Sequence, residues 1–452
     1  MKFNKKQKDE LKERVLREIK TGFRAKEKAK KDWTLNKKML DGEKIINRDG
    51  VSDVNIAMTS SNSHKDSWLS KIGGLPKIQF VKTKEADLQR VQNLNALKDK
   101  YSSGGLSNWA DNDRQDKNQA FYTGRAVTFV SMGSVNGKFK FKPEMVHVND
   151  FYIDPNVRLS EEEARFLGRK GVRKTVSSLK KELKKSDSIY DKKALRDLIN
   201  RYDDKYDSGT KDVEDNEFLK IKQEYENAVD GVIRFHEHWT YVDGERHYVL
   251  YCMEFDIILR IEKMSEMTNI KYGNKEPCYP FITWAPNPEY ANFWSTAPLT
   301  LLRQLFLGQD SSINSLFENA KRINNPSAII NTEVIGEKEY RKLSKAGQVI
   351  KGKSQFDIKN AFDFVQTPSI TTPIETYRLI EGIKDLESGI GPSVKGMATE
   401  DKVGIYEGNK KSVNQKLKLI HNEYARAYNK LAYLFMKSAF AYLNTETAIQ
   451  II

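Results

Sequence analysis

The sequence predicts an α+β fold, from three observations. Short β-like runs alternate over residues 119 to 153. A hairpin signal follows at 231 to 263. The C-terminal third then carries apolar residues at 3- and 4-residue spacing, the period of long amphipathic helices. At 452 residues and 38% hydrophobic, the chain can bury a substantial core in two or three domains. Its 31% charged content suits a large exposed surface or an elongated subunit.

Residues 5 to 31 read as one charged helix. Residues 1 to 38 hold 15 Lys/Arg against 6 Asp/Glu, within a formal net charge of +14 for the chain. Such an excess is either a solvated helix face or a surface for polyanions. Residues 54 to 82 show loop signals, TSSNSH and GGLPK, around a strand-like IQFVK. Residues 85 to 101 read as helix and SSGGLSNWADND as loop. Ser160 with Glu163 three residues on marks an N-cap, with helix expected after it. Residues 187 to 229 read as charged helix with a break at YDSGTKD. VIRFHEHWTYVDGERHYVLY places Asp-Gly between two apolar-aromatic runs, a hairpin signal. PCYPFITWAPNPEYANFWSTAP reads as a packed, extended connection.

After Pro298, Leu302, Leu305, Phe306, Ile313, Leu316, Phe317 and Ala320 form one stripe, interrupted only by Gln309. NNPS stops this helix. AIINTEV reads as a strand, GEKEYRKLSKAG as a short polar helix, and QVIKGKSQFDIKNAFDFVQ as β-like. Thr372 and Pro373 then open a second helix with Ile374, Tyr377, Ile380, Ile383 and Leu386 on one row. A Gly-containing loop follows. Val413, Leu417, Ile420, Tyr424, Ala427, Leu431 and Leu434 mark a last long helix.

Catalytic signals are weak. GQVIKGKS, residues 347 to 354, fits G-x-x-x-x-G-K-[ST], the pattern of a loop that cradles phosphates. Such a loop needs an apolar strand before it and a helix after it. Here a polar helical segment precedes it and an alternating segment follows. His236 and His238 would share one face of a strand, but no third metal ligand is identifiable, and the solvent face of a hairpin is the expected location. GIGPSVKG has the wrong spacing for a dinucleotide site, and DNDRQD lacks the Gly and closing Glu of a calcium loop. Two cysteines, Cys252 and Cys278, make no disulfide framework and fit a reducing compartment. The N-terminus has no apolar core of a signal peptide, and no run of 18 apolar residues marks a membrane span. No catalytic residue, cofactor or metal is predicted.

The order of these elements resembles the portal (head-to-tail connector) proteins of tailed double-stranded DNA bacteriophages, most closely those of short-tailed phages. VHVNDFYIDPNVRLSEEEARFLGRKGVRKTVSSLKKEL, VIRFHEHWTYVDGERHYVLY with IILRIEK, LLRQLFLGQDSSINSLFENAKRINNPSAII and ESGIGPSVKGM carry the resemblance, which spans roughly residues 30 to 440. It implies an α/β wing over 41 to 297 behind a basic N-terminal helix (1 to 40). Stem helices are expected at 298 to 323 and 371 to 389, with a small β-containing clip at 324 to 370. A tunnel loop at 390 to 411 and a long helix toward the wing or crown at 412 to 452 complete it. It implies a non-enzymatic homo-oligomeric ring, a 12-mer, at the capsid vertex of the virion, assembled in the host cytoplasm. Double-stranded DNA would pass through its channel during packaging and ejection. Its partners would be the terminase large subunit, tail or adaptor proteins, and the major capsid and scaffolding proteins, with no membrane. Lys395, Lys402, Lys410 and Lys411 are the channel-loop candidates. Glu337, Lys338, Arg341, Lys342, Lys351 and Lys353 are the docking candidates of the clip. The chain's stop soon after the last long helix, at NTETAIQII, predicts at most a minimal crown. Two alternatives remain at this point: a nucleotide-dependent DNA-processing enzyme using Lys353 and Ser354, and a monomeric basic nucleic-acid-binding protein. The latter would bind free DNA in a salt-sensitive way without assembling, whereas a portal should bind free DNA poorly.

Overall fold

The computed structural model describes residues 4–43, 55–73, 79–81, 88–103, 109–135, 138–207, 231–268, 270, 276–289, 292–324, 328–330, 338, 362–364, 369–388 and 403–442. It is mixed helix and sheet, as the sequence predicts at the level of fold class. Packing divides it into two units. One comprises Met1–Thr34, Leu69–Pro298 and Leu417–Ile452; the other comprises Leu35–Trp68 and Leu299–Lys416.

The first unit begins with α1 (Lys5–Ala25) and the first half of α2 (Glu27–Asp41), two helices where one was expected. Asn4 and Gln7 form a capping box at the start, satisfying two otherwise orphaned amides. The break falls at Lys26. Its side chain turns inward and its Nζ donates to the carbonyls of Val148, Asn149 and Phe151, at 2.6, 2.8 and 2.6 Å. Burial pulls the Lys26 pKa down to about 6, while three carbonyl acceptors favour the ammonium, the only form with three N–H donors.

α4 (Leu88–Ser103) and α5 (Trp109–Thr123) follow, so α5 begins inside the segment read as loop. Here the Trp109 and Phe121 side chains are buried, and tertiary packing overrides a weak helix propensity. IQFVK forms no described strand. Instead the Asn95 side-chain amide accepts from Phe80 N at 2.9 Å and donates to Phe80 O at 3.0 Å, standing in for a neighbouring strand.

β1 (Ala126–Val135), β2 (Lys138–Met145) and β8 (Phe281–Trp284) make an antiparallel sheet in the order β2-β1-β8. The Pro- and aromatic-rich connection therefore contains a strand. The rest of that connection is packed as expected: buried Arg125 donates to the carbonyl of Phe293 and stacks on its ring at 4.0 Å.

A second sheet has the order β3-β4-β5-β6-β7, built from β3 (Phe151–Ile153), β4 (Phe166–Thr175), β5 (Val232–Val242), β6 (Glu245–Cys252) and β7 (Ile257–Lys263). The Ser160 cap is real, accepting from Glu162 N, but it opens only a 3-10 turn at Glu161–Glu163. β4 follows in place of the expected helix, because Phe166 and Leu167 are buried and Leu167 pairs on both sides, with Ile153 of β3 and Trp239 of β5. The helical pattern resumes at α6 (Val176–Lys184), capped by Thr175, and α7 (Lys192–Asp207). Asp243 and Gly244 turn the β5–β6 hairpin with φ of 52° and 80°, the pair of positive values a type I′ turn requires.

β6 is buried on both faces. Tyr248, Leu250 and Cys252 enter the main core with Trp239, Phe281 and Phe293. Val249 and Tyr251 point the other way and meet Leu11, Val15 and Ile19 of α1. This explains why its sequence is nearly continuous in apolar and aromatic residues, and it corrects the solvent-face reading of the hairpin.

In the second unit, α3 (Ile56–Ile72) occupies the segment read as loop. Its polar TSSNSH sequence is held helical from outside: Asp310 Oδ1 accepts from Ile56 N and Ala57 N, at 2.6 and 3.1 Å, and Asn55 Oδ1 accepts from Met58 N. After the single turn α8 (Met264–Met267) of the first unit come α9 (Pro298–Asn324) and α10 (Thr371–Ser388). α10 starts one residue before the predicted Thr372 cap, with Ser369 Oγ accepting from Thr371 N. Between them, β9 (Ala328–Ile330) pairs antiparallel with β10 (Phe362–Phe364). α9 and α10 run antiparallel. Asn319 donates to Ser369 O, Gly308 lies against Ile380, and buried Gln309 accepts from Lys384 Nζ at 3.1 Å. The polar interruption in the α9 stripe thus has its partner on α10. α11 (Val403–Tyr442) is longer than expected: it starts inside the segment read as tunnel loop. Gly404 and Gly408 there cost a helix about 1 kcal/mol each and do not stop it.

Gly124 sits at φ 80°, and a Cβ there would overlap the Ser295 carbonyl oxygen. Gly124→Ala should lower the unfolding free energy by about 2 kcal/mol or more in urea titrations of the intact protein.

Candidate functional site

Of the ten residues singled out for channel or docking roles, only Lys338 has a described side chain, and it is exposed. Glu337, Arg341, Lys342, Lys351, Lys353, Lys395 and Lys402 lie outside the described residues, as does the whole of GQVIKGKS. Lys410 and Lys411 fall within α11, so they belong to a helix rather than to a loop. Among the described residues, no site is assembled from these candidates.

What the structure does bring together is a buried polar seam in the first unit, along the C-terminal half of α11. At one level, Tyr424 and Tyr428 both donate to Asp113 Oδ1 of α5, the latter at 2.7 Å. Lys117 donates to Asp113 Oδ2 at 2.7 Å and to Gly73 O at 2.6 Å. Its ammonium also lies 4.5 Å from the Tyr424 ring centroid. Asp116, one turn from Asp113, accepts from Thr128 of β1, and burial pushes its pKa up to about 7. Burial and then Asp113 hold both tyrosines above their usual values, so they stay protonated and can donate.

At the next level, Lys430 Nζ donates to Glu161, to Glu162 Oε1 at 2.9 Å and to Phe281 O at 3.0 Å. Burial opposes its charge, but Glu161 and Glu162 outweigh it and keep the ammonium above its ordinary pKa. Glu161 is held below the usual carboxylate range in turn: burial raises it, and Lys430 more than compensates. Arg246 of β6 reaches the same carboxylate pair, donating to Glu162 Oε2 at 2.7 Å and to Pro277 O at 2.8 Å. Thr283 of β8 donates to Glu161 Oε2 at 2.7 Å. Beyond the charges, Phe435 sits among Tyr101, Trp109, Phe139 and Phe141, with centroids 5.1 to 5.9 Å away.

This seam was missed because DNDRQD was judged as a metal loop. On a helix, Asp113, Asp116 and Lys117 share one face at spacings of three and four. Lys430 carries the same kind of signal, lying three residues after Ala427 and four before Leu434 in an otherwise apolar row. Chemically, the seam pairs its charges and holds elements together.

His236 and His238 share a face of β5, as the strand period requires, but α1 covers that face. His238 Nε2 lies 2.8 Å from Glu18 Oε2, and its Nδ1 lies 3.1 Å from the Tyr152 hydroxyl. Burial lowers the His238 pKa against the pull of Glu18, while the Glu18 carboxyl, raised by burial, is lowered further by His238. A neutral ring donating from Nε2 to a carboxylate and accepting from Tyr152 satisfies both. Burial, then His238 and Lys170, pull His236 down to about 4. No helix among the described residues is long and apolar enough to cross a membrane. No protein-family model and no curated protein matches the chain.

Lys430→Met would leave Glu161 buried without its cation, while Glu162 keeps Arg246. It should destabilise the protein by about 3–5 kcal/mol in chemical denaturation, and adding Glu161→Gln should recover part of the loss. The buried histidines set an acid response. Their folded pKa values are depressed, so their contribution is complete above the unfolded value of about 6.5 and drains away as pH falls toward 4. Thermal melts should show a fall between these limits on the order of 1–3 kcal/mol, smaller in His236→Gln.

Proposed function

We propose that this chain is the subunit of a bacteriophage portal, a homo-oligomeric ring that passes double-stranded DNA during packaging and ejection. The observation that carries this reading is the antiparallel pair α9 and α10, joined at one end through the β9–β10 pair. A portal stem and clip need such an arrangement: two long helices leading into and out of a small β-containing insert. In this reading the insert meets the terminase large subunit and later the tail or adaptor proteins. The segment between α10 and α11 lines the channel, and the ring sits at the capsid vertex with the major capsid and scaffolding proteins.

The helix pair also leaves apolar side chains uncovered within its unit. Leu301 and Phe317 of α9 are 59% and 43% exposed, and Leu379 and Ile383 of α10 are 65% and 39% exposed. Leu379 and Ile383 are one turn apart on one face. In a ring, each subunit's stem helices are flanked by those of its neighbours, which gives such a face something to bury against. The ring itself does no chemistry in this reading; nucleotide hydrolysis belongs to the docked motor.

Negative-stain microscopy of the purified protein should show rings, and a uniformly monomeric preparation would overturn the reading. Leu379→Asp/Ile383→Asp should abolish or sharply reduce ring formation while leaving the circular dichroism of the folded chain unchanged.

A further inference from the structure

We infer that the solvent face of the N-terminal helix pair binds the phosphate backbone of a nucleic acid. Arg17, Lys20 and Arg24 of α1 and Lys28 and Lys31 of α2 are all exposed and follow one another at steps of three or four residues. They lie opposite the row that faces the sheet, Leu11, Val15, Ile19 and Gly22, continued by Lys26. The five span roughly 21 Å at helical rise.

Their neighbours are treated differently. Lys8 pairs with Asp191 at 2.6 Å, Lys12 with Asp256 at 2.8 Å and Arg14 with Glu18 at 2.9 Å. The five cations of the stripe have no ion-pair partner among the described residues. Between positions 17 and 31 the one exposed carboxylate is Glu27. Lys8, Lys12 and Arg14 are thus neutralised within the chain, and the five cations of the stripe are left for solvent or a ligand.

The chemistry of the face selects the partner. A protein interface core is built on aromatic and aliphatic anchors and is depleted in Lys. A membrane-surface helix needs an apolar face at the headgroup boundary. This face offers neither, because the large apolar side chains of α1 are turned to the sheet: Phe23 lies on Tyr152 at 5.1 Å and Leu16 packs with the same cluster. A row of cations about 5–6 Å apart, without apolar anchors, suits contacts to successive phosphates, which require charge and no sequence reading. The inference rests on the charges of this face alone and stands whether or not the chain forms rings.

The test uses the full-length chain and a fluorescent DNA duplex, titrated over a range of KCl concentrations. Arg17→Glu/Lys20→Glu/Arg24→Glu is compared with a control of equal charge change, Lys5→Glu/Lys181→Glu/Lys184→Glu, at exposed positions elsewhere. The stripe variant should bind at least about tenfold more weakly at low salt. Its slope of log affinity against log salt should be shallower by about 3, one unit per lost phosphate contact. The control should bind within about twofold of the natural chain, since position rather than net charge decides. The inference is overturned if the natural chain does not bind the duplex, or if the control loses as much as the stripe variant. It is likewise overturned if poly-glutamate competes as well as DNA at equal charge. Microscopy of the same samples reports ring formation separately, so loss of one property is not mistaken for loss of the other.

Discussion

Burying Lys430 between Glu161 and Glu162 is the constraint around which the first unit is arranged. Three charges taken out of water are tolerable only when each is paired and hydrogen-bonded. That requirement reaches into four elements. The 3-10 turn must present both glutamates, β8 must supply the Phe281 carbonyl and the Thr283 hydroxyl, and β6 must bring Arg246 to the far side of Glu162. α11 must arrive with its lysine in register, and within the two turns before that lysine it is located by Tyr424 and Tyr428 on Asp113. An apolar seam of equal size would stick as well, but it would accept a shifted helix. Directional donors and acceptors accept one position. In the portal reading, that fixes the upper part of the helix that leads away from the channel segment.

Much of the fold was legible where local chemistry and long-range packing agree. Asp243–Gly244 announced its turn because only certain residues tolerate two positive φ values. The α9 and α10 stripes announced their helices because an apolar face must be covered. Reading failed where distant partners decide. TSSNSH is helical through caps supplied by Asn55 and, from a different helix, Asp310. The segment after Ser160 is a strand because β3 and β5 flank it, which no property of FLGRKGVRKT announces. Lys26 looked like one more solvated cation among many, and its inward turn is visible only once the carbonyls of Val148, Asn149 and Phe151 are placed around it.

The candidate site was less legible than the fold, for the same reason. Residues were singled out for the channel and the clip by their charge within segments that resemble those of portals, and charge alone gives no geometry. The polar residues that the structure assembles come from far apart in the chain and were read singly. DNDRQD was measured against a metal loop, where it fails, and not against a helix face, where its spacing fits. The basic N-terminal stretch was visible as a count. Which of its cations are already neutralised by the chain itself became visible only through the ion pairs to Asp191 and Asp256.

The covering of the five-stranded sheet by α1 has a consequence for how the protein is made. Glu18 meets His238 across 220 residues of chain, and Leu11, Val15 and Ile19 meet strands that are synthesised later still. A helix made long before these strands is therefore among the last elements to find its place. During that interval its apolar row has nothing to lie on, and the sheet that will receive it does not exist. A segment in that position must stay soluble while it waits, and strong charge on its remaining faces serves that end. The charge density of the N-terminus thus suits two periods in the life of the molecule: the wait before the sheet forms, and the exposed face left after it.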